Sequence, residues 1–176
     1  MNYADIKQYD VANGVGVRVS LFVSGCTHHC KGCFNEVAWD FKYGTPFTEE
    51  TINTIIEYLK PSYVAGLTIL GGEPFEPANQ KGLLPLLRKV RETYPEKNIW
   101  MFSGYTFDTD IVGRMCNTLD ETKEILSLID ILVDGKFEED KKSVSLRFRG
   151  SANQRIIKVQ QSLKSGKVEL WEGMNL

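Results

Sequence analysis

No uninterrupted apolar run in this chain approaches the ~20 residues that cross a bilayer. The first ten residues, MNYADIKQYD, also lack the basic-then-apolar order of an export signal. A cytoplasmic protein with no membrane role is therefore expected. Basic residues are not in excess: the formal charge is −2 and the pI near 5.8, which argues against a surface that holds nucleic acid by neutralising phosphates. Histidine is scarce, and His28 and His29 sit side by side, so a Ser/His/Asp arrangement has nowhere to draw its base. Length excludes something too. At 176 residues the chain is well short of the ~250 that a complete eightfold (β/α) barrel takes, so any barrel must be incomplete. Linkers, repeats and low-complexity stretches are missing, which predicts a single domain over residues 1–176.

Cysteine is rare as well, with four in the chain, but three of them fall within eight residues, in SGCTHHCKGCFNE. Reduced thiols clustered in a cytoplasmic protein favour metal or redox chemistry over disulfides. The spacing Cys26-x3-Cys30-x2-Cys33 brings three soft thiolates within reach of one centre, which suits zinc or an iron–sulfur cluster. Closed tetrahedral zinc wants a fourth ligand, and only His28 or His29, crowded into the same loop, is near. A four-iron cluster with three protein thiolates instead keeps one iron open, as a catalytic site does. On this reading the histidines face outward or tune the cluster through hydrogen bonds, Phe34 shields it from water, and Asn35 helps hold the loop. Cys116, alone beside Met115, reads as a small core residue, with a fourth cluster ligand as the alternative.

The rest of the chain alternates between β-like and helical patterns. Val15–Gly25 reads as a strand running into the cysteine loop. Thr48–Lys60 reads as a helix, with a threonine N-cap, acids in its first turn, Ile52, Ile55, Ile56 and Leu59 at helical spacing, and Pro61 as a stop. A strand over Ala65–Gly72 follows. LLPLLRKVRETYP then predicts a helix with Pro85 near its first turn. Strands over Asn98–Tyr105 and Ile129–Gly135 flank one or two helices, and QRIIKVQQSLKSGKVELWE predicts one or two closing strands with a turn at Ser165-Gly166. Alternating strands and helices imply an α/β fold with a mostly parallel sheet and ligands at the carboxyl ends of the strands. The endings SGCTHHCKGC, GGEPF, SGY and VDGKF would gather at that rim. Gly14-x-Gly16 precedes a strand and lacks a third glycine, so it reads as a turn and not a dinucleotide site. Arg147-Phe148-Arg149 mixes charge with an aromatic ring, and in a mildly acidic chain a loop or partner contact is the simpler reading.

The cysteine spacing followed by Phe34, together with Gly71-Gly72-Glu73-Pro74, resembles the radical S-adenosylmethionine (SAM) superfamily. More narrowly, NGVGVRVSLFVSGCTHHCKGCFN, GGEPF, IWMFSGYTF, DILVDGKF and RFRGSANQRII together resemble the activating enzymes of anaerobic (class III) ribonucleoside-triphosphate reductases, from about Asn13 to Ile157. The resemblance implies an incomplete (β/α) barrel of the radical SAM type. It implies a [4Fe–4S] cluster on Cys26, Cys30 and Cys33, SAM beside Gly32, Cys33, Phe34, Gly71, Gly72, Glu73, Ser103 and Asp134, and Glu73 helping to hold the cationic amino end of SAM. The implied partners are the large catalytic subunit of the reductase, on which a glycyl radical would be raised, and a low-potential electron donor such as flavodoxin. Within the superfamily, a pyruvate formate-lyase activase or a 7-carboxy-7-deazaguanine synthase is the alternative; outside it, a non-enzymatic zinc-binding interaction module.

Overall fold

The computed structural model describes residues 1–173. One sheet of seven strands runs through it: β1 (Asn2–Asp10), β2 (Val17–Val23), β3 (Thr45–Pro46), β4 (Val64–Gly71), β5 (Asn98–Phe102), β6 (Ile131–Asp134) and β7 (Arg155–Lys158). Its order is β3-β1-β2-β4-β5-β6-β7. The four central strands β2, β4, β5 and β6 pair in parallel, whereas β1 lies antiparallel to β2 and β3, and β7 antiparallel to β6. The expectation of a mostly parallel sheet thus holds for the middle and not for the flanks. The flanking pairs need no crossover helix, because β7 returns beside β6 through the loop that begins at Gly135.

Helices α1 (Glu49–Leu59), α2 (Pro77–Thr93) and α3 (Asp120–Leu128) connect the parallel strands, and α4 (Val159–Ser165) follows β7. α1 forms as its sequence predicts. Thr48 caps the Thr51 amide in a capping box with the Thr51 hydroxyl, and Ile52, Ile55, Ile56 and Leu59 are buried. α2 differs from expectation, since it starts at Pro77 and encloses Pro85. Pro77 sits at the first helical position, where its missing N–H costs nothing. Pro85 is exposed and so is Lys81, four residues back, so the carbonyl that Pro85 leaves unpaired can bond water. Of the one or two expected closing strands β7 forms, and after the expected turn at Ser165-Gly166 the chain bridges back to Ile157 at Leu170 without a full second strand. Gln160–Ser165 is helical, with Val159 and Ser162 buried and Gly166 ending the turn at φ +71°.

Alternation along the strands separates two apolar layers. Val19, Leu21, Val23, Leu67, Ile69, Ile99 and Met101 point to one face and pack in the main core with Ile55, Leu83, Leu87 and Ile125 of the helices. On the other face Trp100, Ile131, Val133 and Ile156 form a smaller cluster, closed by Val15, Phe148 and Trp171. Phe148 holds φ +57° and sets its ring edge-on to Trp100, with centroids 5.4 Å apart.

Asp10, at the end of β1, ties the following loop to this inner face. Its Oδ2 accepts from Ser20 Oγ at 2.6 Å and Asn13 Nδ2 at 2.7 Å, and its Oδ1 from the Ala12 amide at 2.8 Å. Burial pushes its carboxyl up, but bonds from Ser20, Asn13 and Ala12 outweigh this and hold it below the ordinary value. A carboxylate depressed in the fold adds stability that is present above its unfolded pKa of about 3.9 and is lost as pH falls through the folded value. Asp10→Asn is therefore expected to lose about 1.5–3 kcal/mol at neutral pH. That gap should close in urea melts as the pH drops below about 4; a gap constant with pH would refute the assignment.

Candidate metal centre

The loop after β2 is built by main-chain bonds before any side chain is considered. The Gly25 amide donates to the Ala38 carbonyl at 2.7 Å, and the Cys26 amide to the Trp39 carbonyl at 3.2 Å. The strand end of β4 joins the same frame, with the Gly72 amide donating to Val23 at 2.7 Å and the Glu73 amide to Gly25 at 2.8 Å. Here lies the need for two glycines. Gly71 holds φ +109°, and a Cβ on Gly72 would stand 2.6 Å from the Gly25 carbonyl oxygen. The glycines let two strand-end backbones touch, so a side chain at position 72 would displace the cysteine loop as well as any ligand.

One cavity of about 780 Å³ opens at the carboxyl ends of β2, β4, β5 and β6, within the ~300–1,000 Å³ of ligand clefts. It is lined by Cys26, Cys30, Cys33, Phe34, Gly71, Gly72, Glu73 and Ser103 among the residues that the sequence singles out. Two others lie outside the lining. Gly32 turns the chain at φ +70°, facing the Glu139 side chain. Asp134 is buried in an ion pair with Arg155, whose Nη2 lies 2.5 Å and Nε 2.9 Å from its oxygens, and it accepts the Phe107 amide at 2.7 Å. With its oxygens so engaged, Asp134 is not placed to meet a cofactor.

Glu73 requires a similar correction. Its fully buried carboxylate accepts from the Phe75 amide (2.9 Å) and Ser103 Oγ (2.9 Å) on Oε1, and from the Gly104 amide (2.7 Å) and His28 Nε2 (2.8 Å) on Oε2. Four donors fill the roughly four acceptor sites of a carboxylate, leaving none for an ammonium group. His28 is thus turned inward, with its side chain 6% exposed and its ring against Tyr105, contrary to the outward reading; His29 is exposed and stacks on Trp39 at 4.4 Å. Phe34, 70% exposed, leans on Phe137 with centroids 5.1 Å apart, so it walls the mouth of the cavity without sealing it.

The donor set fits an iron–sulfur cluster. The Asn35 amide donates to Cys33 Sγ at 3.4 Å, and the backbone of His28 and His29 near Cys26, and of Phe137 near Cys30, acts on those thiols in the same direction. Such donors stabilise thiolates. Burial nevertheless pushes the free Cys26 thiol up to about 11 and Cys30 also upward, so metal must displace protons on binding. Among the described residues no three Cys, His, Asp or Glu side chains converge tightly enough for a single ion. Three thiols that line one cavity suit a cluster whose irons each take one. Cys116 lies elsewhere, in the turn Met115–Asn117 against the main core, as a small packing residue.

Phe137, in the VDGKF ending expected at the rim, lines the cavity, but sequence reasoning missed the rest of its far wall: Asn13 at its base, and Phe148, Arg149 and Gln154 from the segment between β6 and β7. The mixed sequence RFR was the signal available, and it marks a loop whose aromatic ring plugs the inner face.

The open α/β sheet carries its cysteine loop at the parallel-strand rim, and the family model described as "4Fe-4S single cluster domain" matches residues 12–157, which places the chain among iron–sulfur proteins. The chain is 44% identical over 163 residues to an anaerobic ribonucleoside-triphosphate reductase-activating protein of Pasteurella multocida, covering 92% of this chain and 99% of that one. It is 40% identical to that of Enterobacteria phage T4, covering 89% and 93%, and 39% identical to that of Escherichia coli K12, covering 88% and 96%. The chain belongs to the family of anaerobic ribonucleoside-triphosphate reductase-activating proteins.

Proposed function

We propose that this protein is a radical SAM activase that raises a glycyl radical on the large catalytic subunit of an anaerobic ribonucleotide reductase. On this reading the open sheet is an incomplete barrel of the radical SAM type, and Cys26, Cys30 and Cys33 hold a [4Fe–4S] cluster with one iron free of protein ligands. When bound, the cluster supplies one electron, accepted from a low-potential donor such as flavodoxin, to the sulfonium of SAM, whose cleavage yields methionine and a 5′-deoxyadenosyl radical that takes hydrogen from a glycine Cα.

The chain's own residues bind, orient and exclude water. Gly71 and Gly72 bring the β4 backbone up to the cysteine loop, where main-chain atoms can bond the amino end of SAM. Cys33 and Phe34 form the wall beside it, and Ser103 is held at the rim by Glu73. Glu73 acts through these neighbours and not through a free carboxylate. Phe137 and Phe148 line the remaining side with apolar surface, which keeps water from a reactive radical. The observation that carries the reading is the meeting of three cysteines and the Gly71-Gly72 strand end on one cavity.

The test is electron paramagnetic resonance. Anaerobic mixing of the reconstituted, reduced protein with SAM and the reductase is expected to give a glycine-centred doublet. Absence of that doublet with a demonstrably intact reductase would refute the activase reading.

A further inference from the structure

We propose that Glu76 is a positioning residue for the cysteine loop, an inference that rests on that loop being the cluster site. Glu76 occupies the N-cap of α2: its carbonyl accepts the Gln80 amide at 2.9 Å. An N-cap side chain ordinarily turns back to cap the amides of its own helix, but that of Glu76 makes no such bond. Its Oε1 instead crosses to the cysteine loop and accepts both the backbone amide of Thr27 at 2.9 Å and the Thr27 hydroxyl at 2.5 Å. Thr27 follows Cys26 directly. The donor residue is exposed while the acceptor is 5% exposed, so a buried carboxylate is committed to one residue of an otherwise accessible loop.

Glu73 does the same one step further along, taking His28. The two acids, three residues apart across Pro74-Phe75, grip consecutive residues of the segment between the first two cysteines. Because both also belong to the β4–α2 turn, the clamp fixes the cysteines relative to Gly71-Gly72, and hence relative to the SAM site. The helix N-terminus favours the negative charge of Glu76, but the grip itself needs only one oxygen acceptor, and a glutamine has one.

This sets the test. In reconstituted holoenzyme, Glu76→Ala is expected to keep its iron and sulfide content and lose about tenfold in kcat/KM for 5′-deoxyadenosine formation, at the low end for residues that orient a metal site because Thr27 adjoins a ligand and is not one. Its reduced-cluster resonance should also respond abnormally to SAM. Glu76→Gln should stay within about twofold of the wild type and keep its spectrum. In the metal-free protein, hydrogen exchange at the Thr27 amide should be accelerated in the alanine variant and unchanged in the glutamine variant. Equal exchange and equal turnover for Glu76→Ala and wild type would overturn the proposal. Glu76→Gln as impaired as Glu76→Ala would overturn it too, by assigning the effect to charge. If wild-type protein held no cluster, the functional reading would fail, and exchange at Thr27 would still decide whether the clamp exists.

Discussion

Serine at Cys26, Cys30 or Cys33 is expected to abolish SAM cleavage while leaving the fold in place. A hydroxyl does not replace a thiolate as a soft ligand, and with two remaining sulfurs the cluster loses an iron it cannot hold otherwise. The fold should persist because the loop does not depend on metal for its path. Gly25 and Cys26 are hydrogen-bonded to Ala38 and Trp39, Thr27 to Glu76, and His28 to Glu73. All three cysteines are half-buried at the rim and none belongs to either apolar layer. Each exchange should therefore cost no more than about 1 kcal/mol, or roughly 2–4 °C in melting temperature for a chain of this size. Iron and sulfide analysis, chromatography of 5′-deoxyadenosine and a thermal melt measure the three parts. Cys116→Ser is the control: it lies outside the cavity and should retain full turnover. A rim-cysteine variant that still cleaved SAM would refute the ligand assignment, and one that failed to fold would show that metal builds the loop.

What the sequence made legible follows from which forces act locally. α1 could be read to the residue because a capping box and an apolar stripe are both short-range signals. The start of α2 could not. Its first turns carry Asn79 and Gln80, which look like loop residues, yet both are buried because their amides serve the site: Asn79 Nδ2 donates to the Ser24 and Glu73 carbonyls at 3.0 and 2.9 Å, and Gln80 Nε2 to Phe75 at 2.7 Å. β1 was missed for the opposite reason. It is a flanking strand, bridged on its outer side only at Asn2 and Tyr3, with exposed Asp5, Lys7 and Tyr9, and it lacks the apolar alternation that burial imposes. The cysteines announced themselves by spacing. The residues that aim them, His28, Thr27 and Glu76, meet through contacts between residues 45 and 49 positions apart, which no local pattern encodes.

At the opposite end of β2, Arg18 supports the largest expected loss of stability. It is 0% exposed on the inner face of the sheet, with its guanidinium 5.5 Å from the Trp100 ring centroid. All of its donors are met. Nε reaches Thr68 Oγ1 at 2.7 Å, Nη1 reaches the Val15 carbonyl at 3.1 Å and Asn98 Oδ1 at 2.8 Å, and Nη2 reaches the carbonyls of Leu67 at 2.8 Å and Asn98 at 3.3 Å. Burial pushes the guanidinium down from its usual range, and only Asp130 and Asp10, neither hydrogen-bonded to it, push it back. Buried charge is often replaceable by apolar bulk when both partners are replaced together. Here that escape is closed, because three of the five acceptors are main-chain carbonyls that no substitution removes.

Arg18→Met would remove five guanidinium bonds from buried acceptors, the Val15, Leu67 and Asn98 carbonyls, Thr68 Oγ1 and Asn98 Oδ1, and each acceptor left short of a donor costs desolvation. It would also slacken Thr68, whose hydroxyl donates to the Asn13 carbonyl at the base of the cavity at 2.8 Å. The expected loss is about 3–5 kcal/mol, the sum over several buried neutral acceptors that each lose a donor, a large part of the ~5–15 kcal/mol that holds a typical domain folded. Arg18→Lys, with three donors and no planar fork, should recover only a fraction. Urea unfolding of the metal-free protein at pH 7 measures both, and an Arg18→Met midpoint equal to wild type would mean that water or a rearranged loop satisfies the carbonyls, so that the guanidinium is not what closes the floor of the cavity.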